Sequence, residues 1–170
     1  SWDVLIEQSK LTERVRQLGK QISQDFAGES VVLVGVLKGS FIFLADLMRA
    51  IEIPCNVEFI GVSSYDGTQS TGHVRITQDL SAEIKDKNVI VVEDIVDTGL
   101  TMDYIISTFQ VREPKSLKIC TLLSKPEAHV MKHQLDYVGF EISNEFVIGY
   151  GLDLDGFYRG LPYIAQVRTY

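Results

Sequence analysis

Cysteine is scarce: Cys55 and Cys120 are the only two in 170 residues. They lie far apart in segments that read as strands, and both are expected to be buried, reduced thiols of a cytosolic protein. A single disulfide or a nucleophilic cysteine is the alternative. Long apolar runs are absent too. No stretch approaches the roughly 20 residues needed to span a bilayer, and Ser1-Trp2-Asp3 lacks the basic, apolar opening of a signal peptide. The expected location is the cytoplasm, with no membrane partner, and Ser1 in place of methionine is expected of a trimmed start. Positive charge is the third shortage. Sixteen Lys and Arg face 23 Asp and Glu, a formal net charge of −7, which argues against a broad basic surface for nucleic acid. An anionic small molecule stays open, provided its cations are gathered locally or brought by a metal ion. Repeats, linkers and low-complexity stretches are missing as well. What remains, 45% hydrophobic and 23% charged, is ordinary for a globular domain. The length predicts one domain over 1–170.

From Trp2 to Phe26 the apolar residues Leu5, Leu11, Val15, Leu18 and Ile22 recur at helical spacing, predicting a helix. VVLVGVL at 31–37 is β-branched without alternation, as a parallel strand covered on both faces is. Ser40 to Ile51 predicts a helix closed by Pro54, and Asn56 to Tyr65 a strand. Residues 66–78, DGTQSTGHVRITQ, are polar and carry two glycines, which predicts a mobile loop. NVIVVEDI at 88–95 is a second buried strand, followed by a helix from Thr101 to about Val111 and a strand at 117–123. Shorter strands are expected at 136–141 and 145–151. Strands alternating with helices predict an α/β fold with an open, mostly parallel twisted sheet flanked by helices.

The densest chemistry lies in VVEDIVDTGLT at 91–101. A buried strand runs into Glu93 and Asp94, then Asp97, then Thr98-Gly99-Leu100-Thr101 opening a helix. In open parallel sheets ligands bind at the carboxyl ends of strands, where acids can face hydroxyls or a metal. The Thr-Gly-x-Thr turn offers hydroxyls, close backbone approach and the free N–H groups of a helix start, a phosphate cradle. The structural alternative makes Asp97 and Thr98 a helix cap and the two acids a solvated strand end. It leaves three acids beside a Thr-Gly turn unexplained.

This stretch resembles the signature of type I phosphoribosyltransferases, which bind PRPP (5-phosphoribosyl 1-diphosphate). The resemblance implies that Glu93 and Asp94 face the ribose hydroxyls, directly or through Mg²⁺, and that Asp97, Thr98, Gly99, Leu100 and Thr101 hold the 5-phosphate. Leu100 stands where some members carry Lys. LKGSF at 37–41 is similar to the family's pyrophosphate loop, in which Lys38 and Gly39 hold the leaving group and a non-proline cis peptide is expected. SSYDGTQSTGH at 63–73 resembles the lid, with Ser64 and Tyr65 reaching over the substrate and the loop at about 66–78 keeping water out.

Lys125 in LLSKPEAH and the run NEFVIGYGLDLDGFYRGLPYI at 144–164 resemble the hood region of the hypoxanthine-guanine branch. By that resemblance Lys125 donates to the purine O6, Phe146 stacks on the ring, and the Val147 backbone meets the base. Asp153 serves Mg²⁺ and the base edge, Arg159 the pyrophosphate, and Asp97 is the catalytic base. Singly, Lys125 also reads as a solvated charge, Phe146 as core and Arg159 as an ion-pair partner. The implied activity is transfer of ribose 5-phosphate from PRPP to hypoxanthine or guanine, with Mg²⁺ held by Glu93, Asp94 and Asp153. Partners are then these small molecules, with no nucleic acid, and the family's habit predicts a homo-oligomer, dimer or tetramer. Rivals are a regulatory relative that binds RNA, for which −7 is the wrong charge, and an enzyme for adenine, xanthine or orotate. Other motifs fail. GVLKGS has Lys before Gly, unlike a Walker A loop, and GYGLDL lacks the third glycine of a dinucleotide fingerprint. DLDGF stops after two acids of a calcium loop. His129 and His133 lack the Glu of a zincin, and they read as surface histidines.

Overall fold

The computed structural model describes residues 1–64 and 74–168. Two stretches of backbone-hydrogen-bonded strands organise it. Six strands pair in the order β4 (Val74–Gln78), β3 (Cys55–Ser64), β2 (Val31–Leu37), β5 (Asn88–Val96), β6 (Ser116–Ser124), β7 (Tyr137–Glu141). All neighbours are parallel except β3 and β4. A smaller antiparallel sheet joins β1 (Trp2–Ile6), β9 (Ile164–Val167) and β8 (Val147–Ile148). The α/β class and the mostly parallel sheet are as the alternation of elements predicts.

The central strands carry no polar alternation because both their faces are covered. Val31 and Leu33 of β2, with Ile90 and Val92 of β5, face α1 (Gln8–Asp25) and α2 (Phe41–Ala50) through Leu11, Val15, Leu18, Phe43 and Leu47. Val32, Val34 and Val36, with Val89 and Val91, face α3 (Leu100–Gln110) through Met102, Ile105, Ile106 and Phe109. Every one of these side chains is buried. At about 25 cal/mol per Å² of apolar surface, this two-sided burial is the main drive to form the sheet. It also settles the position of the site. β2 connects outward to β3 and β5 connects outward to β6, so chain order reverses between β2 and β5. Their pairing ends at Gly35 opposite Val92, and both strands continue beyond it, to Leu37 and Val96. A crevice opens outside such a reversal.

Three expectations need correction. Trp2–Ile6 is a strand, and the helix begins only at Gln8. Its backbone partners are on β9, some 160 residues away, as in Trp2 opposite Val167, and local periodicity carries no trace of them. Trp2 also meets the Tyr158 ring edge-on, with centroids 5.0 Å apart. The loop expected over 66–78 does not include 74–78. Val74–Gln78 is β4, antiparallel to β3, with Val74 and Ile76 alternating against polar neighbours and Ile76 packed on the core. Residues 66–73, with Tyr65, lie outside the described residues. Of the strand expected at 145–151 only Val147–Ile148 forms, because Gly149, Tyr150 and Gly151 all take positive φ and turn the chain. Cys120 is buried as expected while Cys55 is half-buried, and both are free. Burial pushes both thiols up from their ordinary pKa, against a nucleophilic role.

Candidate active site

β2 delivers the Lys38-Gly39 turn to the crevice, and the Leu37–Lys38 peptide is cis, as expected. Lys38 is exposed. Gly39 lies so close to the Asp94 carboxylate that a Cβ would overlap Oδ2, so a side chain at this position would expel the acid. From β5 come Glu93, buried, and Asp94, half-buried. The Asp94 N–H donates to Glu93 Oε1 at 3.1 Å, and the Ile95 N–H donates to Asp94 Oδ1 at 2.6 Å. Burial, then the Asp94 charge, hold the Glu93 carboxyl well above its ordinary pKa. Burial raises Asp94 too, partly offset by its hydrogen bonds and by Arg159. Two desolvated carboxylates side by side call for a cation.

Beyond them the chain passes Asp97 and Thr98 and enters α3. Gly99, the residue before the helix, has φ +88°, left-handed backbone that glycine adopts without strain. No side chain caps the helix, so its first-turn N–H groups stay available to a ligand. Thr98 Oγ1 accepts only a long 3.4 Å bond from the Leu100 N–H. A cavity of about 170 Å³ is lined by Glu93 to Gly99, Thr101 and Met102. Larger cavities exist, one of about 610 Å³ at the opposite, N-terminal edge of the sheet. Its Lys115 is already paired with Glu29 at 2.6 Å, and the signature residues are absent from it.

Lys125 follows β6 beside this cradle. Its N–H donates to the Val96 carbonyl at 3.0 Å, and its Nζ lies 3.8 Å from Asp97 Oδ2. The lysine side chain is only 12% exposed while that of Asp97 is 59% exposed, so a mostly sheltered cation meets an acid open to solvent. Phe146 is 49% exposed, a large ring without cover, and its carbonyl accepts from the Val167 N–H. Val147 is buried and pairs with Gln166. Arg159 donates from Nη1 to the Gly151 carbonyl at 2.6 Å, and Gly151 in turn packs against the Gly39 carbonyl. Gly39, Asp94 and Arg159 therefore converge. Asp153 does not join Glu93 and Asp94. It accepts from the Gly156 N–H at 2.7 Å and lies 3.5 Å from Arg159, and among the described residues no three His, Cys, Asp or Glu gather as a metal-binding set. Ser64 ends β3, and Tyr65 is outside the described residues.

The donor chemistry still fits Mg²⁺. That ion prefers one or two carboxylates completed by water and substrate phosphates over an all-protein cage, and the buried Glu93-Asp94 pair supplies hard oxygens in an electrostatic setting that a cation relieves. Some contributors were not legible in the sequence. His129 and His133 are half-buried and partnered, to Ser124 Oγ at 3.2 Å and Asp103 at 2.7 Å, because the segment after β6 folds back over α3. Tyr150 donates to Asp46 at 2.5 Å, tying the turn before Gly151 to α2. The positive-φ glycines flanking Tyr150 were the available signal.

Acids, a helix-start cradle and converging cations at the ends of parallel strands define an α/β enzyme that holds a phosphorylated sugar. The family described as phosphoribosyl transferase domain matches residues 1–155. A hypoxanthine-guanine phosphoribosyltransferase of Streptococcus pneumoniae is 46% identical over 166 residues, covering 97% of this chain and 92% of that one. The crystal structure of a hypoxanthine-guanine phosphoribosyltransferase from Bacillus anthracis, with HEPES in its active site, superposes with a TM-score of 0.94 at 48% identity over 98% of each chain. The Trypanosoma cruzi hypoxanthine phosphoribosyltransferase in complex with its product IMP does so with 0.91 at 42%, over 97% of this chain and 93% of that one. The chain belongs to the phosphoribosyltransferase family, in its hypoxanthine-guanine branch.

Proposed function

We propose that this chain transfers ribose 5-phosphate from PRPP to N9 of hypoxanthine or guanine, giving IMP or GMP and pyrophosphate. The observation that carries the substrate class is the approach of Lys125 to Asp97 at 3.8 Å beside the cradle. A 6-oxopurine in its N7–H form presents an acceptor, O6, next to a donor, N7–H. A lysine has donors only and an ionised aspartate acceptors only, so the pair is complementary to that edge. Phe146 offers the ring a stacking face, and the Val147 backbone meets its other edge.

The N9–C1′ bond forms as the C1′–pyrophosphate bond breaks, through an oxocarbenium-like transition state. Asp97 takes the N7 proton as N9 attacks. Its contribution comes from its position beside N7 and from the rising acidity of N7–H as N9 attacks. Residues 97–101 hold the 5-phosphate, and Lys38, Gly39 and Arg159 meet the departing pyrophosphate. Mg²⁺, held by Glu93 and Asp94 with substrate phosphates and water, would supply positive charge to the pyrophosphate and ribose hydroxyls; Asp153 is left to Arg159. Ser64, Tyr65 and the following loop are assigned to a lid and 144–164 to a hood within one domain. Assembly as a dimer or tetramer and a cytoplasmic location complete the proposal. No helix among the described residues is long and apolar enough to cross a membrane.

The test is a spectrophotometric assay of hypoxanthine, guanine, xanthine and adenine with PRPP and Mg²⁺, beside an RNA gel shift. Turnover of the first two, abolished by excess chelator and restored by Mg²⁺, is expected. Turnover of adenine alone, or an RNA shift without turnover, would overturn the reading.

A further inference from the structure

The phosphate cradle is not self-supporting. Gly99 before α3 has no capping side chain, and the turn's own polar contact is the long Thr98–Leu100 bond. Its support comes from the segment after β6. The Val130 N–H donates to the Thr98 carbonyl at 2.9 Å, and the Met131 side chain fills the space where a Cβ on Gly99 would stand. That segment is in turn hydrogen-bonded by one side chain, Asp103, in the first turn of α3, while Met131 packs on the core. Its carboxylate accepts from the Lys132 N–H at 2.7 Å, the His133 N–H at 3.2 Å and the His133 ring Nδ1 at 2.7 Å. The Asp103 side chain is 16% exposed and that of His133 28%, so water competes little for these bonds. The Asp103 N–H itself donates to the Gly99 carbonyl at 2.9 Å. One residue thus grips the cradle from its helix side and, through residues 130–133, from behind.

We propose that Asp103, which touches no reacting atom, is a positioning residue. It latches the 130–133 segment against Thr98 and Gly99 and so presets the 5-phosphate cradle for PRPP. The inference rests on the assignment of residues 97–101 to the phosphate. Burial raises the Asp103 pKa, but the donors from Lys132 and His133 outweigh it and hold the carboxyl below its ordinary value, consistent with an ionised acceptor at working pH. Lys125 keeps its own anchor, the bond from its N–H to Val96, so the base subsite does not depend on the latch. The expected signature is therefore selective for one substrate.

Steady-state kinetics of Asp103→Ala, Asp103→Asn and His133→Leu test this, with Thr98→Val and Thr101→Val as cradle controls and circular dichroism as a check on folding. Small misplacements of a binding loop are costly, so Asp103→Ala should raise KM for PRPP about tenfold while kcat and KM for hypoxanthine stay within about twofold. Asp103→Asn, which retains an acceptor oxygen, should recover part of that loss. Removing only the ring donor, His133→Leu should raise KM for PRPP roughly two- to fivefold, and it decides the matter if Asp103→Ala does not fold. Parental KM for PRPP in the folded variants, or equal losses for both substrates, overturns the latch. The threonine controls separate the two levels. If they leave KM for PRPP unchanged, the cradle assignment itself fails; if they raise it while the Asp103 and His133 variants do not, only the latch fails.

Discussion

At the scale of single residues, the proposed specificity turns on one sheltered cation. Lys125 is 12% exposed and directed to Asp97. An ammonium can satisfy O6 but has nothing to accept from an adenine amino group, so adenine would set donor against donor in a partly dry pocket. Lys125→Gln supplies both a donor and an acceptor on a shorter stem. The ratio of kcat/KM for hypoxanthine to that for adenine should fall in this variant, chiefly through loss on hypoxanthine. An unchanged ratio with both values lowered together would make Lys125 structural and send the search for specificity to the backbone around Val147.

Among the elements, the strand–turn–helix from β5 to α3 carries the most. Its geometry needs a residue that accepts φ +88° and leaves room for Met131. Gly99→Ala meets both obstacles. The left-handed backbone costs a non-glycine residue about 1–2 kcal/mol, and the added methyl pushes Met131 off the turn. The expected result is a lower melting temperature together with weaker PRPP binding, read by calorimetry and by KM. Parental values of both would mean that the turn adjusts freely and that its shape is not what holds phosphate. The motif residues here were legible because strand, acid pair and Thr-Gly turn are consecutive in the chain. Asp103 was not, although it lies only two positions beyond Thr101. Nothing local distinguishes it from an ordinary acid in a first helical turn, and its partners arrive from residues 132 and 133 after a whole strand has intervened.

For the molecule as a whole, the acid pair makes stability depend on pH in a way opposite to most carboxylates. The Glu93 pKa is raised in the folded protein, above an unfolded value of about 4.3. Between those two values the folded state binds more protons than the unfolded one, so stability falls as pH rises through that window. Glu93→Gln cannot titrate. In metal-free buffer without substrate, its melting temperature relative to the parent should climb as pH is raised from about 4.5. A gap that stays constant across pH would mean that burial does not perturb this carboxyl. Acids with lowered pKa, such as Asp79 beside Arg112 and Glu29 beside Lys115, act in the other direction and only in more acid solution, which separates the two effects.

The sequence by itself determined the α/β class and the two buried strands, because these depend on side-chain periodicity and on neighbours within a few positions. The fold brings Gly39, Asp94 and Arg159 together by reversing strand order between β2 and β5 and turning the chain at Gly149–Gly151. Tertiary structure alone decided that Trp2–Ile6 is a strand, since its hydrogen-bond partners are at the other end of the chain. It decided that Asp153 faces Arg159 and Gly156 instead of the acid pair, and that His129 and His133 are partnered rather than free in solvent. Each of these is a contact between residues distant in the chain. Backbone pairing and burial choose such contacts across the whole molecule, and no local pattern of residue types encodes them.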